Sequence, residues 1–147
     1  MPEIKREGRA VWKGGLKDGQ GTTTTQSGFL KDLPYSVPSR FENAKGTNPE
    51  EMIAAAHASC FSMMLAKILG DQGKTATQIS TSATLTMRID NAGPKITGIH
   101  LVTEAQVPGI EAAGFESAAK EAKEKCPIST LLKPGLENLT LDAKLKS

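Results

Sequence analysis

An excess of either charge is missing from this chain. Eighteen Lys and Arg face sixteen Asp and Glu, for a net charge of +2 at pH 7. Acids and bases are interleaved, so the sequence offers neither a nucleic-acid groove nor a membrane-binding patch. Aromatic residues are only 4% of the 147, and there are two histidines and two cysteines. The start, MPEIKREGRAVW, has no apolar segment behind its charges and does not read as a secretory signal. A reducing cytoplasm is therefore the expected setting. There, two cysteines far apart in the chain are not expected to form a permanent structural bridge; they are unpaired core residues, metal ligands or redox groups. Metal is the weakest of these readings. His57 and Cys60 fall on adjacent turns, and His100 and Cys126 can be brought in, but no second closely spaced ligand pair exists. Internal repeats, low-complexity tracts and linkers are also lacking, and the length suits a single domain over 1–147 with its own hydrophobic core.

What is present is organised around Gly46 to Gly70, GTNPEEMIAAAHASCFSMMLAKILG. Asn48 is a good N-cap, Pro49 suits the first helical position, and Glu51 can complete a capping box, so a helix starts here and Gly70 is expected to stop it. Between Met52 and Leu69 only His57, Ser59, Ser62 and Lys67 interrupt the apolar residues, which predicts a helix suited to burial on nearly every face. A membrane span is the rival reading. The serines, the histidine and Lys67 interrupt the run of ~20 apolar residues a bilayer demands, and many of the apolar positions are alanine rather than bulky groups.

Ahead of this helix, residues 9 to 13 and the threonine run Thr22 to Thr25 flank GGLKDGQG and predict a hairpin. That loop is no phosphate cradle, since it lacks the Gly-Lys-Ser/Thr ending and no helix follows. Pro34, Tyr35, Val37 and Pro38 predict an extended, non-helical segment leading to SRFEN, which contains Arg40. After the helix, Ile79, Ala83, Leu85, Met87 and Ile89 alternate with polar residues. A second alternating run carries Ile99, Leu101, Ala105 and Val107 on one face, and the two predict a long antiparallel hairpin. From about Ile110 to Lys125 the period becomes helical, with Phe115, Ala118, Ala119, Ala122 and Cys126 on one stripe. PISTLLK predicts a short helix capped at or near Cys126, and Leu139, Leu141, Ala143 and Leu145 a last strand. The expected class is α+β, with mainly antiparallel sheets enclosing a long buried central helix. A helix apolar all round needs more cover than one subunit of this size provides, so a second subunit is expected.

A reactive cysteine needs a nearby cation, a helix N-terminus or a metal to favour its thiolate. Cys60 lies deep in its helix, too far from the first turn for the dipole to act. Cys126 has the better local case, because the start of the Pro127 helix lies beside it. Both residues also fit the plainer reading of small hydrophobes in a core. His57, three residues before Cys60, shares its face and is either a base or, more often for such a residue, a hydrogen-bonded core histidine.

RFENAKGTNPEEMIAAAHASCFSMMLA and the later KEKCPIS, in that order, resemble the osmotically inducible protein C family, a branch of the OsmC/Ohr peroxide reductases. The likeness extends to GTTTTQSGFL, VPGI and the LDAKLKS ending. It implies an OsmC-like fold, an intertwined homodimer and a thiol peroxidase for organic hydroperoxides. It makes Cys60 the peroxidatic cysteine and Cys126 the resolving one, against the ranking from the helix dipole. It also supplies a cation, Arg40, held by Glu50. The implied partners are a small hydroperoxide and a dithiol reductant such as a lipoylated protein, with no nucleic acid, membrane, metal or organic cofactor. Met52, Ile53, Phe61, Met63 and Met64 give the helix around Cys60 an apolar setting and are the expected substrate wall. A non-catalytic dimeric binding or stress protein with structural cysteines is the alternative. Ten residues separate Glu50 from Cys60 on one helix, about 15 Å along its axis and roughly 80° in facing. If both serve one site, the glutamate is expected to come from the partner subunit.

Overall fold

Strand β1 (Gly8–Lys13) and β2 (Gln20–Thr25) form the first antiparallel pair, with β3 (Leu33–Tyr35) antiparallel on the other edge of β2. These belong to the first of two compact units, Met1–Met52 and the chain from Ile53 onward; the computed structural model describes residues 1–146. The β-branched threonines suit the extended backbone of β2. The β1–β2 loop is as tight as its glycines allow, since a Cβ at Gly19 would collide with the Gly15 carbonyl oxygen. Helix α1 (Val37–Phe41) follows. The expected extended segment is therefore wrong from Val37 onward. Proline is excluded from a helix interior but fits the first turn, where its missing N–H has no intrahelical partner in any case. Ser36 supplies the cap, and its hydroxyl accepts from the Ser39 N–H while the Ser39 hydroxyl accepts from the Ser36 N–H.

Helix α2 (Pro49–Asp71) begins in this unit and continues through the second. The Asn48 side chain caps it, accepting the Glu51 N–H at 2.8 Å. The Glu51 carboxylate does not close the box but accepts the Thr47 hydroxyl instead. Gly70 does not end the helix. The stop is Gly73, at φ +70°, where the Gly73 N–H reaches the Gly70 carbonyl and the Lys74 N–H the Leu69 carbonyl. That left-handed residue and its bond pair are the glycine-terminated C-cap.

In the second unit, β4 (Gln78–Asp90) pairs antiparallel with β5 (Gly93–Gln106), with one register shift between Thr86 and Met87. Helices α3 (Ala112–Lys125) and α4 (Pro127–Leu132) then lead to β6 (Asn138–Lys146), which lies parallel to β5. Hairpin reasoning misses this one parallel pairing. Parallel neighbours need a crossover of a dozen or more residues, and α3 with α4 provides it. The core gathers Phe61, Leu65, Ile68 and Leu69 of α2, Ile99, Leu101 and Ala105 of β5, Val107, the alanine stripe of α3 with Phe115, and Cys126. Each large aliphatic or aromatic side chain buried there contributes roughly 1.5–3 kcal/mol.

Burial on every face of α2 is not what one chain provides. His57, Phe61, Leu65, Ile68 and Leu69 are buried, whereas Ala55, Ser59, Met63 and Ala66, a third to a half turn round, are exposed. The helix meets the length and composition of a membrane span, yet its buried stripe belongs to a core shared with β5 and α3. Its serines are satisfied within the protein. Ser59 and Ser62 donate to the carbonyls one turn back, and Ser62 joins a hydroxyl chain through Thr81 to Thr103 on the sheet.

Candidate functional site

Arg40 and Glu50 meet within the first unit. The Arg40 Nε donates to Glu50 Oε1 at 2.9 Å and Oε2 at 3.2 Å, and Nη2 donates to Oε1 at 2.6 Å. Such charge-assisted contacts fix the guanidinium plane as well as its position. Arg40 keeps 38% of its side chain exposed against 12% for Glu50, so the carboxylate is the sheltered anchor. The Phe41 ring lies 5.2 Å from the Arg40 Cζ and adds a cation–π contact. Among the described residues Nη1 donates to no protein group, which leaves the far edge of the guanidinium available to an anion.

The local fold that delivers this pair depends on Ser39, which nothing in the sequence singles out. Its hydroxyl reaches the Thr47 carbonyl at 2.8 Å, and its carbonyl accepts from Asn48 Nδ2. The turn of α1 that carries Arg40 is thereby tied to the residues that cap α2 just before Glu50. Gly46 is needed beside it: its φ is +131°, and a Cβ there would stand 2.9 Å from the Pro34 carbonyl oxygen, a backbone that favours glycine.

The two cysteines meet in the second unit as free thiols, Cys60 half-buried on α2 and Cys126 fully buried where α3 ends and α4 begins. Burial pushes the Cys60 thiol up, and the neighbouring Cys126 thiol pushes it the same way; the Ile128 N–H, in the first turn of α4, pulls it down. The start of α4 therefore acts on Cys60, although the sequence places it beside Cys126. Within this unit the balance still favours the thiol over the thiolate.

His57 is a buried core histidine. Its Nε2 shares a 2.7 Å hydrogen bond with the Ser129 hydroxyl, and its Nδ1 has no partner among the described residues. Burial holds its pKa below the ordinary 6.5, so the unfolded chain takes up a proton that the fold resists. The associated stability is present above pH 6.5 and is lost as the pH falls from there towards the lowered folded-state value. Thermal melts of the parent and of His57→Gln across this range are expected to converge as the pH drops. Parallel melting curves would show that His57 carries no such penalty.

The residues expected to form a substrate wall separate. Phe61 is completely buried in the core and lines no accessible surface, whereas Met63 is 75% exposed. Ile53 and Met64 are half-buried, and at seven residues before and four after Cys60 they share its side of the helix. Met52 is half-buried at the end of the first unit. No group of three or more metal-ligating side chains exists among the described residues.

Two small three-stranded sheets and one long helix are the fold by which this chain compares with solved structures. The solved structure of the organic hydroperoxide resistance protein OhrB of Bacillus subtilis matches with a TM-score of 0.70 and 24% identity, over 95% of this chain and 98% of that one. The OsmC-like protein from Mycoplasma pneumoniae matches at 0.78 and 15%, over 99% and 100%. These show the fold. In sequence, the family model of OsmC-like proteins matches residues 42–138, and the chain belongs to that family. It is 48% identical over 144 residues to the peroxiredoxin OsmC of Escherichia coli strain K12, covering 98% of this chain and 99% of that protein. It is 29% identical over 142 residues to the organic hydroperoxide resistance protein of Xanthomonas axonopodis pv. citri, covering 92% and 87%.

Proposed function

We propose that this chain is a thiol peroxidase that reduces organic hydroperoxides to alcohols. The observation that carries the reading is the pairing of a half-exposed free thiol, Cys60, with a buried free thiol, Cys126, in one core. Relatives named as a peroxiredoxin and as organic hydroperoxide resistance proteins support it. In the first step the Cys60 thiolate attacks the distal peroxide oxygen and the O–O bond breaks. The alkoxide takes a proton and leaves as the alcohol, and Cys60 becomes a sulfenic acid. Cys126 then attacks that sulfur, water leaves, and a Cys60–Cys126 disulfide forms. A dithiol, from a lipoylated protein or a small molecule, returns both thiols in a reducing cytoplasm.

The upward push on the Cys60 thiol has to be offset before it can react. Arg40 is the residue we assign to this, with Glu50 holding it; its free guanidinium edge then also serves the departing oxyanion. The working unit in this reading is a homodimer. The exposed stripe of α2, with Met63 at 75% exposure, is the kind of apolar helix face that a second copy covers.

Ile53 and Met64, beside Cys60, offer burial to an alkyl group that hydrogen peroxide lacks. At ~0.8 kcal/mol per buried methylene, two such groups favour the organic substrate on the order of tenfold. Steady-state peroxide consumption with a dithiol reductant is expected to give a higher kcat/KM for cumene or tert-butyl hydroperoxide than for hydrogen peroxide. An equal or higher value for hydrogen peroxide would show that no apolar wall selects the substrate.

A further inference from the structure

One buried polar contact in the second unit has no part in the chemistry above. His57 stands one turn before Cys60 on α2, and Ser129 is the third residue of α4 after its cap, Cys126. Both side chains are essentially fully buried, at 0% and 1% exposure, and their 2.7 Å bond spans two helices far apart in sequence. Helix α4 has six residues and no side-chain cap, too short to hold itself in place. Its outward face, with Pro127, Thr130 and Leu131, is exposed. Ile128 and Leu132 pack against the core, but apolar packing tolerates small slides that a hydrogen bond does not. The Cys126 backbone is fixed from both sides, its N–H on the Ala122 carbonyl and its carbonyl accepting from Thr130. The first turn of α4 therefore shares with the end of α3 in setting where the Cys126 sulfur sits.

We propose that His57 and Ser129 are positioning residues, a latch that seats the first turn of α4 against α2 and so keeps Cys126 within reach of Cys60 for disulfide closure. Closure is intramolecular, and its rate depends on how much of the time the two sulfurs are presented to each other. Without the latch, Cys60 still meets its first reactant. The second step slows, and the Cys60 sulfenic acid persists long enough for a further hydroperoxide to oxidise it to the sulfinic acid.

The latch rests on the peroxidase reading only for its biological meaning, and the test separates the two. With 2,2′-dithiodipyridine, the Cys60 thiolate takes one half of the reagent and releases one pyridine-2-thione; attack by Cys126 on the mixed disulfide then releases the second. Stopped-flow absorbance is expected to resolve both steps in the parent, with Cys126→Ser giving the first alone. Ser129→Ala is expected to slow the second release about tenfold with the first unchanged, and Ser129→Thr, which keeps the hydroxyl, to restore it. His57→Gln, whose amide nitrogen stands near the Nε2 position, is expected to fall between the two. Circular dichroism and melting temperature report any loss of fold, which slows neither step selectively. A second release in Ser129→Ala within twofold of the parent overturns the latch, as does equal slowing in Ser129→Thr. A parent that closes its disulfide with this reagent but ignores hydroperoxides leaves the latch standing and removes the peroxidase.

Discussion

Replacing Cys60 by serine is expected to abolish turnover with every hydroperoxide, a fall of at least about a thousandfold, because the hydroxyl cannot serve as the nucleophile. The substitution nearly preserves volume at a half-buried position, so the fold should persist. Cys126→Ser has a different expected signature. Serine is a good residue at a helix cap, and Cys126 occupies that position in α4. Its variant should oxidise Cys60 once, rapidly, and then stop with a sulfenic acid that a cyclic diketone traps. Stopped-flow oxidation of both variants, with mass analysis of the products, reads the two roles separately. Rapid oxidation of Cys126 in the Cys60→Ser protein, with none of Cys60 in the reverse variant, would exchange them, as the helix dipole alone would have it.

A mixed dimer is expected to recover activity that neither parent variant has. Glu50 and Cys60 lie on the one helix α2, ten residues and about 15 Å of rise apart, and the Glu50 carboxylate is engaged by Arg40 of its own chain. If the arginine and glutamate serve a thiol, the proposed symmetric dimer assigns them to the partner's Cys60. A dimer of one Cys60→Ser chain and one Glu50→Gln chain then keeps one complete site, with Cys60 of the second chain facing Glu50 of the first. Purified by two different affinity tags, it should show about half the parent activity per dimer if the sites act independently. Activity no higher than that of the Glu50→Gln homodimer would place the glutamate in the same chain as the cysteine it serves.

Much of this arrangement is readable from side-chain chemistry alone. Asn48 and Pro49 announce the start of α2, the period of two announces β4 and β5, and the alanine stripe with Phe115 announces α3, because each signal is local. What escapes depends on space. Alternation in Leu139, Leu141, Ala143 and Leu145 reveals a strand but not its direction, so the parallel partnership of β6 with β5 has no signature in the chain. Prolines around Val37 suggest an extended segment, since composition does not distinguish a helix's first turn from its interior. Gly70 reads as the stop of α2, and only the backbone conformation shows that the stop is Gly73.

The site divides in the same way. The order of the two cysteine motifs is recognisable as a family likeness, and Arg40 and Glu50 come with it. Helix electrostatics point to the start of α4, which the sequence sets beside Cys126. Yet the Ile128 N–H bears on Cys60. Ser129, inside the short apolar run PISTLL, carries no signal at all. A buried hydroxyl becomes conspicuous only when its partner, His57, is found across the core.

The central claim is that hydroperoxide consumes both thiols of this chain and joins them. The direct measurement is a thiol count on the reduced protein before and after one equivalent of cumene hydroperoxide, followed by peptide mapping without reduction. The expected result is the loss of two thiols per chain and a single new cross-linked peptide joining Cys60 to Cys126. Two thiols remaining while the peroxide persists would contradict it and leave the cysteines as parts of the core.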